Sequence, residues 1–218
     1  MITIDNLHFL YQVFIIISIV LYALYIFIKL KDDKKRSILY LLIVIPLIII
    51  VGKLFTVITT KNTNIISAGL SSSGGALSII LIRYIYSKIV KNNKYFTHSI
   101  LFLPCMYGIA KLGCFFNGCC FGMPYEGPLA IYYPNIYWDS VFPVQLVESI
   151  IFLLIFLYFY KSKKDIRWLV IISALSKFLL EYLRFSHIGK IITVNQITSL
   201  IIIFITLIII LNKKEKVK

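Results

Sequence analysis

The chain has 218 residues, 60% hydrophobic and 15% charged, with a formal net charge of +14. A mean hydropathy of +0.90 and apolar runs of about twenty residues, the length a helix needs to cross the hydrocarbon core, exclude an ordinary soluble domain. The basic residues stand in short blocks between those runs, as in cytoplasmic loops, which argues against a nucleic-acid-binding surface.

The predicted fold is all-α: a polytopic integral membrane protein with about seven transmembrane helices, forming a single transmembrane domain over 1–218. The runs lack strand alternation, and lipid offers backbone groups no other partner, so helices are the expected spanning form. In chain order the spans are 8–29, 38–60, 65–88, 96–113, 143–160, 167–185 and 193–212. The first has no basic start and no small-residue cleavage site after it, so it reads as a retained span and not as a signal peptide.

Orientation follows from the basic blocks. Lys29, Lys31, Lys34, Lys35 and Arg36 fill the first loop, Lys88, Lys91 and Lys94 the third, and Lys161, Lys163, Lys164 and Arg167 the fifth. The tail, 213–218, carries Lys213, Lys214, Lys216 and Lys218. The opposite side has only Lys61 and Lys190. The positive-inside rule therefore puts the N-terminus outside and the C-terminus in the cytoplasm. The loop 113–142 is external, because no Lys or Arg occurs from Leu112 to Tyr160. Its Tyr132, Tyr133, Tyr137 and Trp138 read as interfacial anchors or as the lining of an entrance.

Ionisable residues inside spans are costly and mark function. Lys177 follows Arg167 by ten residues, which places it about 15 Å deep, near mid-membrane. Glu181 and Arg184 follow at i+4 and i+7 on the same helix face. Lys111 lies near the outer end of the fourth span, and Gln145 and Glu148 share a face near the outer end of the fifth. Ser71, Ser72 and Ser73 precede Gly74 and Gly75 in the third span, and Gln196 opens the seventh. The glycines suit close helix packing, while the hydroxyls can bond a head group. Together these residues put excess positive charge in the outer half, with Glu148 and Glu181 among them. An anionic phospholipid is the ligand that suits such a site, since a phosphate needs cations and donors in fixed places.

Cys105, Cys114, Cys119 and Cys120 match neither a dispersed disulfide framework nor the usual paired C-x-x-C zinc pattern. Three readings stay open for Cys114, Cys119 and Cys120: small apolar packing residues, an external disulfide from Cys114, or a thiolate nucleophile at Cys119 or Cys120 beside Lys111.

Five segments carry a family resemblance. Lys111-Leu-Gly-Cys-Phe-Phe-Asn117-Gly118-Cys-Cys-Phe-Gly122 resembles the signature of prolipoprotein diacylglyceryl transferases, Gly-Arg-x-Gly-Asn-Phe-x-Asn-Gly-Glu-x-x-Gly. Ala68-Gly-Leu-Ser-Ser-Ser73-Gly74-Gly75 resembles the family's Gly-Gly-Leu-x-x-His-Gly-Gly. Phe142-Pro-Val-Gln145-Leu-Val-Glu148 resembles His-Pro-x-Gln-Leu-Tyr-Glu. Lys177-Phe-Leu-Leu-Glu181-Tyr-Leu-Arg184 resembles Arg-Phe-x-x-Glu-x-x-Arg, and Asn195-Gln196-Ile-Thr-Ser resembles Gly-Gln-x-x-Ser. The match runs from about 68 to 199, in order and with similar spacing.

The resemblance implies a bacterial plasma (inner) membrane transferase of lipoprotein biosynthesis. Its donor would be phosphatidylglycerol or a related anionic phospholipid, and its acceptor the lipobox cysteine of a prolipoprotein signal peptide. It implies no metal and no soluble cofactor. Lys111 and Lys177 stand where the family has phosphate-binding arginines, with Glu181, Cys119 and Cys120 as further catalytic candidates. Ser73, Gly74, Gly75, Asn117, Gly118, Gly122, Gln145, Glu148, Arg184 and Gln196 are candidates for holding substrate. The departures are specific. Lys cannot reproduce Arg's bidentate grip on phosphate, Ser73 replaces the histidine that would serve as base, and Cys114 and Cys119 replace an Asn and a Glu. Two alternatives follow: a lipid-group transferase with another acceptor, working through a cysteine nucleophile, or a non-catalytic lipid-binding membrane protein.

Overall fold

The computed structural model describes residues 2–4, 7–30, 34–60, 69–71, 74–75, 78, 94–134, 136–162 and 164–215. Among them are six α-helices: α1 (His8–Lys29), α2 (Lys34–Thr60), α3 (Lys94–Asn117), α4 (Val144–Ser162), α5 (Ile166–Glu181) and α6 (Val194–Glu215). Five are long and apolar enough to cross a membrane, all but α5. Large side chains such as Phe9, Leu42, Ile58, Phe204 and Leu211 are exposed along them, the surface that lipid covers in a membrane-spanning helix. The chain is therefore a helical membrane protein. The predicted third span, 65–88, lies mostly outside the described residues.

Helix α2 starts at Lys34, earlier than the predicted 38, and the ends of α3 and α5 also differ from expectation, these two for local reasons. Helix α3 continues to Asn117, beyond the predicted 113, and ends at Gly118, whose φ of +64° is left-handed. A left-handed glycine is a common helix terminator because it meets no Cβ penalty there. Helix α5 starts on Asp165, whose side chain accepts from the Arg167 N–H at 3.0 Å, and stops at Glu181, short of the predicted 185. At 16 residues it is about 24 Å long, less than a full bilayer core.

The chain forms two compact units. In the unit of Ile19–Leu103, Ser99 Oγ lies 2.7 Å from the Tyr22 hydroxyl and 2.6 Å from that of Tyr40, all three buried. A Cβ on Gly74 would come within 2.8 Å of Val51, Gly52 and Phe55 of α2, so this glycine has the close-packing role expected of a small residue.

The other unit comprises Met1–Ser18 and Pro104–Lys218. It adds to the helices a small sheet that period-2 patterning could not predict, because each strand is two residues long. The strands are β1 (Ile2–Thr3), β2 (Ile131–Tyr132) and β3 (Ser140–Val141). β2 is central, parallel to β1 (Ile2 opposite Ile131) and antiparallel to β3 (Ile131 opposite Val141). Ile131, Tyr133 and Val141 bury against Phe115 of α3, with Phe116, Phe121, Tyr137 and Leu146 around them. Tyr133 is thus a core residue and not an interfacial anchor; its hydroxyl donates to the Phe115 carbonyl at 2.8 Å. Trp138 is 81% exposed and keeps the anchor reading.

Candidate functional site

All of the site described here belongs to the unit of Met1–Ser18 and Pro104–Lys218. Tyr107 and Lys111 are four apart on α3, one turn, and so share a face. Glu148 lies in the second turn of α4 and is fully buried. Its Oε2 is 2.9 Å from Lys111 Nζ, and its Oε1 is 2.5 Å from Arg184 Nη2. Tyr107 donates its hydroxyl proton to the same Oε1 at 2.8 Å, and Arg184 Nη2 reaches the Tyr107 hydroxyl oxygen at 3.3 Å. One carboxylate thus ties α3, α4 and the segment after α5 together.

Lys177 and Lys111 both lie over the Tyr107 ring, Nζ to centroid 4.8 and 5.2 Å. The ring's negative face favours cations at that range. Glu181, 1% exposed, takes Arg184 Nε at 3.4 Å and accepts from Asn195 Nδ2 at 2.9 Å and the Thr193 hydroxyl at 3.3 Å. Three cations (Lys111, Lys177, Arg184) therefore surround two carboxylates (Glu148, Glu181), leaving one excess positive charge. In a low-dielectric interior such an excess is expensive unless an anion joins it.

Arg184 reaches this cluster because α5 ends early. Its backbone pairs with Gly122 in an antiparallel bridge, the Met123 N–H donates to Leu183 O at 3.0 Å, and the Phe185 N–H donates to Phe121 O at 3.1 Å. Gly122 must be glycine for this approach: a Cβ there would meet Phe142 O at 2.4 Å and Leu183 O at 3.0 Å.

Between α3 and that bridge, the chain places three sulfurs together. The Sγ atoms of Cys114, Cys119 and Cys120 all lie within 4.8 Å of one another, and all three are free thiols, not the disulfide one reading allowed. The Cys119 N–H donates to Cys114 O at 3.1 Å, closing the turn, and Gln145 Nε2 donates to Cys119 O at 3.0 Å, fastening it to α4. Cys120 has a φ of +57°, uncommon for a residue with a side chain. Hydrogen bonds from Cys114 and Cys119 and the charge of Lys111 hold the Cys120 thiol well below its ordinary range.

Of the residues expected to form a site, the structure thus brings Lys111, Lys177, Glu148, Glu181 and Arg184 into one network. Gly118, Cys119, Cys120 and Gly122 form the loop beside it, and Gln145 of α4 holds that loop through Cys119 O. Asn117 is the last residue of α3. Gln196 does something else: its Oε1 accepts from the Thr193 N–H at 2.9 Å and its Nε2 donates to Phe178 O at 3.4 Å, so it latches α6 to α5. Gly74 and Gly75 belong to the other unit, and Ser73 lies outside the described residues. Sequence reasoning missed Tyr107, the residue on which both lysines and Glu148 converge. Its signal was its position one turn before Lys111.

The family model described as prolipoprotein diacylglyceryl transferase matches residues 2–212. Phosphatidylglycerol–prolipoprotein diacylglyceryl transferase of Fervidobacterium nodosum is 32% identical over 156 residues, 63% of this chain and 53% of that protein. The match thus spans about half the length of that relative. With nearly its whole length matched by the family model, the chain belongs to the prolipoprotein diacylglyceryl transferase family.

Proposed function

We propose that the protein transfers the diacylglyceryl group of phosphatidylglycerol, or of a related anionic phospholipid, to the lipobox cysteine thiol of a prolipoprotein signal peptide. The observation that carries this reading is the buried cluster of Lys111, Lys177 and Arg184, one positive charge in excess of Glu148 and Glu181, inside an apolar helical unit. A phospholipid can place its phosphate there while its acyl chains stay in the bilayer. In transfer, the acceptor thiolate attacks the glycerol carbon next to the phosphate. A C–S bond forms, the C–O bond breaks, and glycerol phosphate leaves carrying the electron pair.

Lys111 and Lys177 then offset charge growing on the departing phosphate, which is where fixed cations accelerate a reaction. Glu148 positions Lys111 and Arg184, and Tyr107 carries both lysines on its ring face. Gly118 and Gly122 shape the loop next to the phosphate, with Asn117 and Gln145 bracing it. The same reading takes seven spans, with the third over 65–88, in the bacterial plasma membrane. It puts the N-terminus and the loop 113–142 outside and the C-terminus in the cytoplasm.

The test uses purified protein in detergent, phosphatidylglycerol labelled in its head group, and a synthetic lipobox peptide. Release of labelled glycerol phosphate that requires the peptide's cysteine supports the proposal. No release, or release indifferent to that cysteine, overturns it.

A further inference from the structure

The three clustered thiols have no assigned task in the network of Lys111, Glu148 and Arg184. We infer that Cys114, Cys119 and Cys120 form a three-thiolate zinc site with an open fourth position, which takes the thiol of the acceptor cysteine. This inference rests on the transfer reaction proposed above and supplies what that reaction lacks, a means of making the acceptor a thiolate.

The geometry comes first. Tetrahedral zinc with Zn–S distances of about 2.3 Å needs its sulfurs about 3.8 Å apart. The three Sγ atoms already lie within 4.8 Å of one another, so small side-chain rotations close the set. Adjacent residues in extended chain point their side chains to opposite faces. Here the left-handed φ of +57° at Cys120, after another of +64° at Gly118, turns the chain so that Cys119 and Cys120 both converge on Cys114. Strained non-glycine backbone of this kind persists where the surroundings enforce it, commonly at functional sites. The Cys119 backbone is held from two directions, by Cys114 O and by Gln145.

Access also fits. Cys114 is buried, Cys119 half-buried and Cys120 exposed, which leaves one side of the set open to an incoming ligand. Three protein ligands with an open fourth position is the arrangement of catalytic zinc, as opposed to structural zinc. A thiol that coordinates zinc loses its proton, and the thiolate is the nucleophile. The acceptor thiol therefore gives its proton to water on binding. Its electron pair then forms the C–S bond as the C–O bond to phosphate breaks, and the resulting thioether, a weaker ligand, leaves the metal. Ser73 stands where the resembling family has a histidine base, and this site makes that base unnecessary.

The experiment uses the full chain in detergent, titrated with Zn²⁺ and, for spectroscopy, with Co²⁺. One equivalent binds, Co²⁺ gives a sulfur-to-metal charge-transfer band, and Zn²⁺ protects Cys119 and Cys120 of the unaltered protein from maleimide. N-acetylcysteine methyl ester, a small thiol independent of any lipobox, shifts the Co²⁺ band by entering the fourth position. Cys114→Ser, Cys119→Ser and Cys120→Ser each weaken metal binding at least tenfold, while Cys105→Ala, which alters a buried cysteine outside the cluster, leaves it unchanged. The protection measurement needs no variant, so misfolding of a serine variant does not spare the inference. Absence of binding and protection, or binding with no band shift on adding the thiol, overturns it. The same preparation is assayed for diacylglyceryl transfer. Transfer without metal binding sinks this inference and leaves the proposed function standing; metal and thiol binding without transfer upholds the site and sinks the proposed function.

Discussion

Replacing Glu148 with Gln tests the charge network most severely. The amide keeps the shape of the side chain, and its oxygen still accepts from Tyr107 and Arg184, while its NH2 takes the place of the acceptor that faced Lys111, so the change removes the charge and the Lys111 contact. Glu148 is fully buried and serves two cations, Lys111 at 2.9 Å and Arg184 at 2.5 Å. Without it three buried cations face Glu181 alone. Removing one partner of a buried ion pair costs about 3–5 kcal/mol, because the remaining charge stays desolvated and unpaired. For a chain of this length that corresponds to an unfolding temperature lower by about 6–20 °C. Thermal unfolding in detergent, followed by the fluorescence of Trp138 and Trp168, reads the change. A second substitution, Lys111→Met, removes one stranded cation, so the double variant recovers about 1–3 kcal/mol relative to additivity. If Glu148→Gln unfolds within about 2 °C of the unaltered protein, or if the two substitutions simply add, the account of a mutually dependent buried network is wrong.

Three further outcomes follow from single contacts. Gly122→Ala forces a Cβ to within 2.4 Å of Phe142 O; the overpacking costs about 1–3 kcal/mol and displaces Arg184, so unfolding temperature and transfer rate both fall, the latter by more than the destabilisation alone explains. Tyr107→Phe removes the donor to Glu148 at 2.8 Å while keeping the ring, costing about 1.5–3 kcal/mol for a hydrogen bond to a charged group, with lipid binding retained because both lysines keep their aromatic face. Lys177→Met lowers transfer at least about tenfold, one unit of transition-state stabilisation of about 1.4 kcal/mol, and raises thermal stability, since it relieves the excess charge; a fall in stability would show that Lys177 is a structural partner instead.

Much of this was legible in the sequence where a periodic or electrostatic rule acts over many residues. The run of apolar residues predicts α1 to the residue, and Lys177, Glu181, Lys111 and Glu148 stand out because intramembrane charge is rare. What was not legible depends on where the chain turns. Arg184 reads as a helix residue at i+7 from Lys177, yet α5 ends at Glu181, and a backbone bridge to Gly122 delivers Arg184 to Glu148 instead. Tyr107 is an ordinary aromatic in an apolar run until two lysines converge on it. Tyr133 looks like one more interfacial aromatic until strands two residues long fold it under Phe115. The cysteine cluster shows the same limit: its spacing matches no familiar ligand pattern, and only the left-handed turn at Cys120 brings its sulfur to the others.

The most direct test of the central claim is the mass of the acceptor. Purified protein, phosphatidylglycerol of defined acyl chains and a lipobox peptide are incubated together, and the peptide is analysed by mass spectrometry. The account predicts a gain equal to one diacylglyceryl group, located on the cysteine sulfur as a thioether and absent when Lys111→Met protein is used. A peptide that stays unmodified while the lipid binds, or a modification on any other atom, would contradict it.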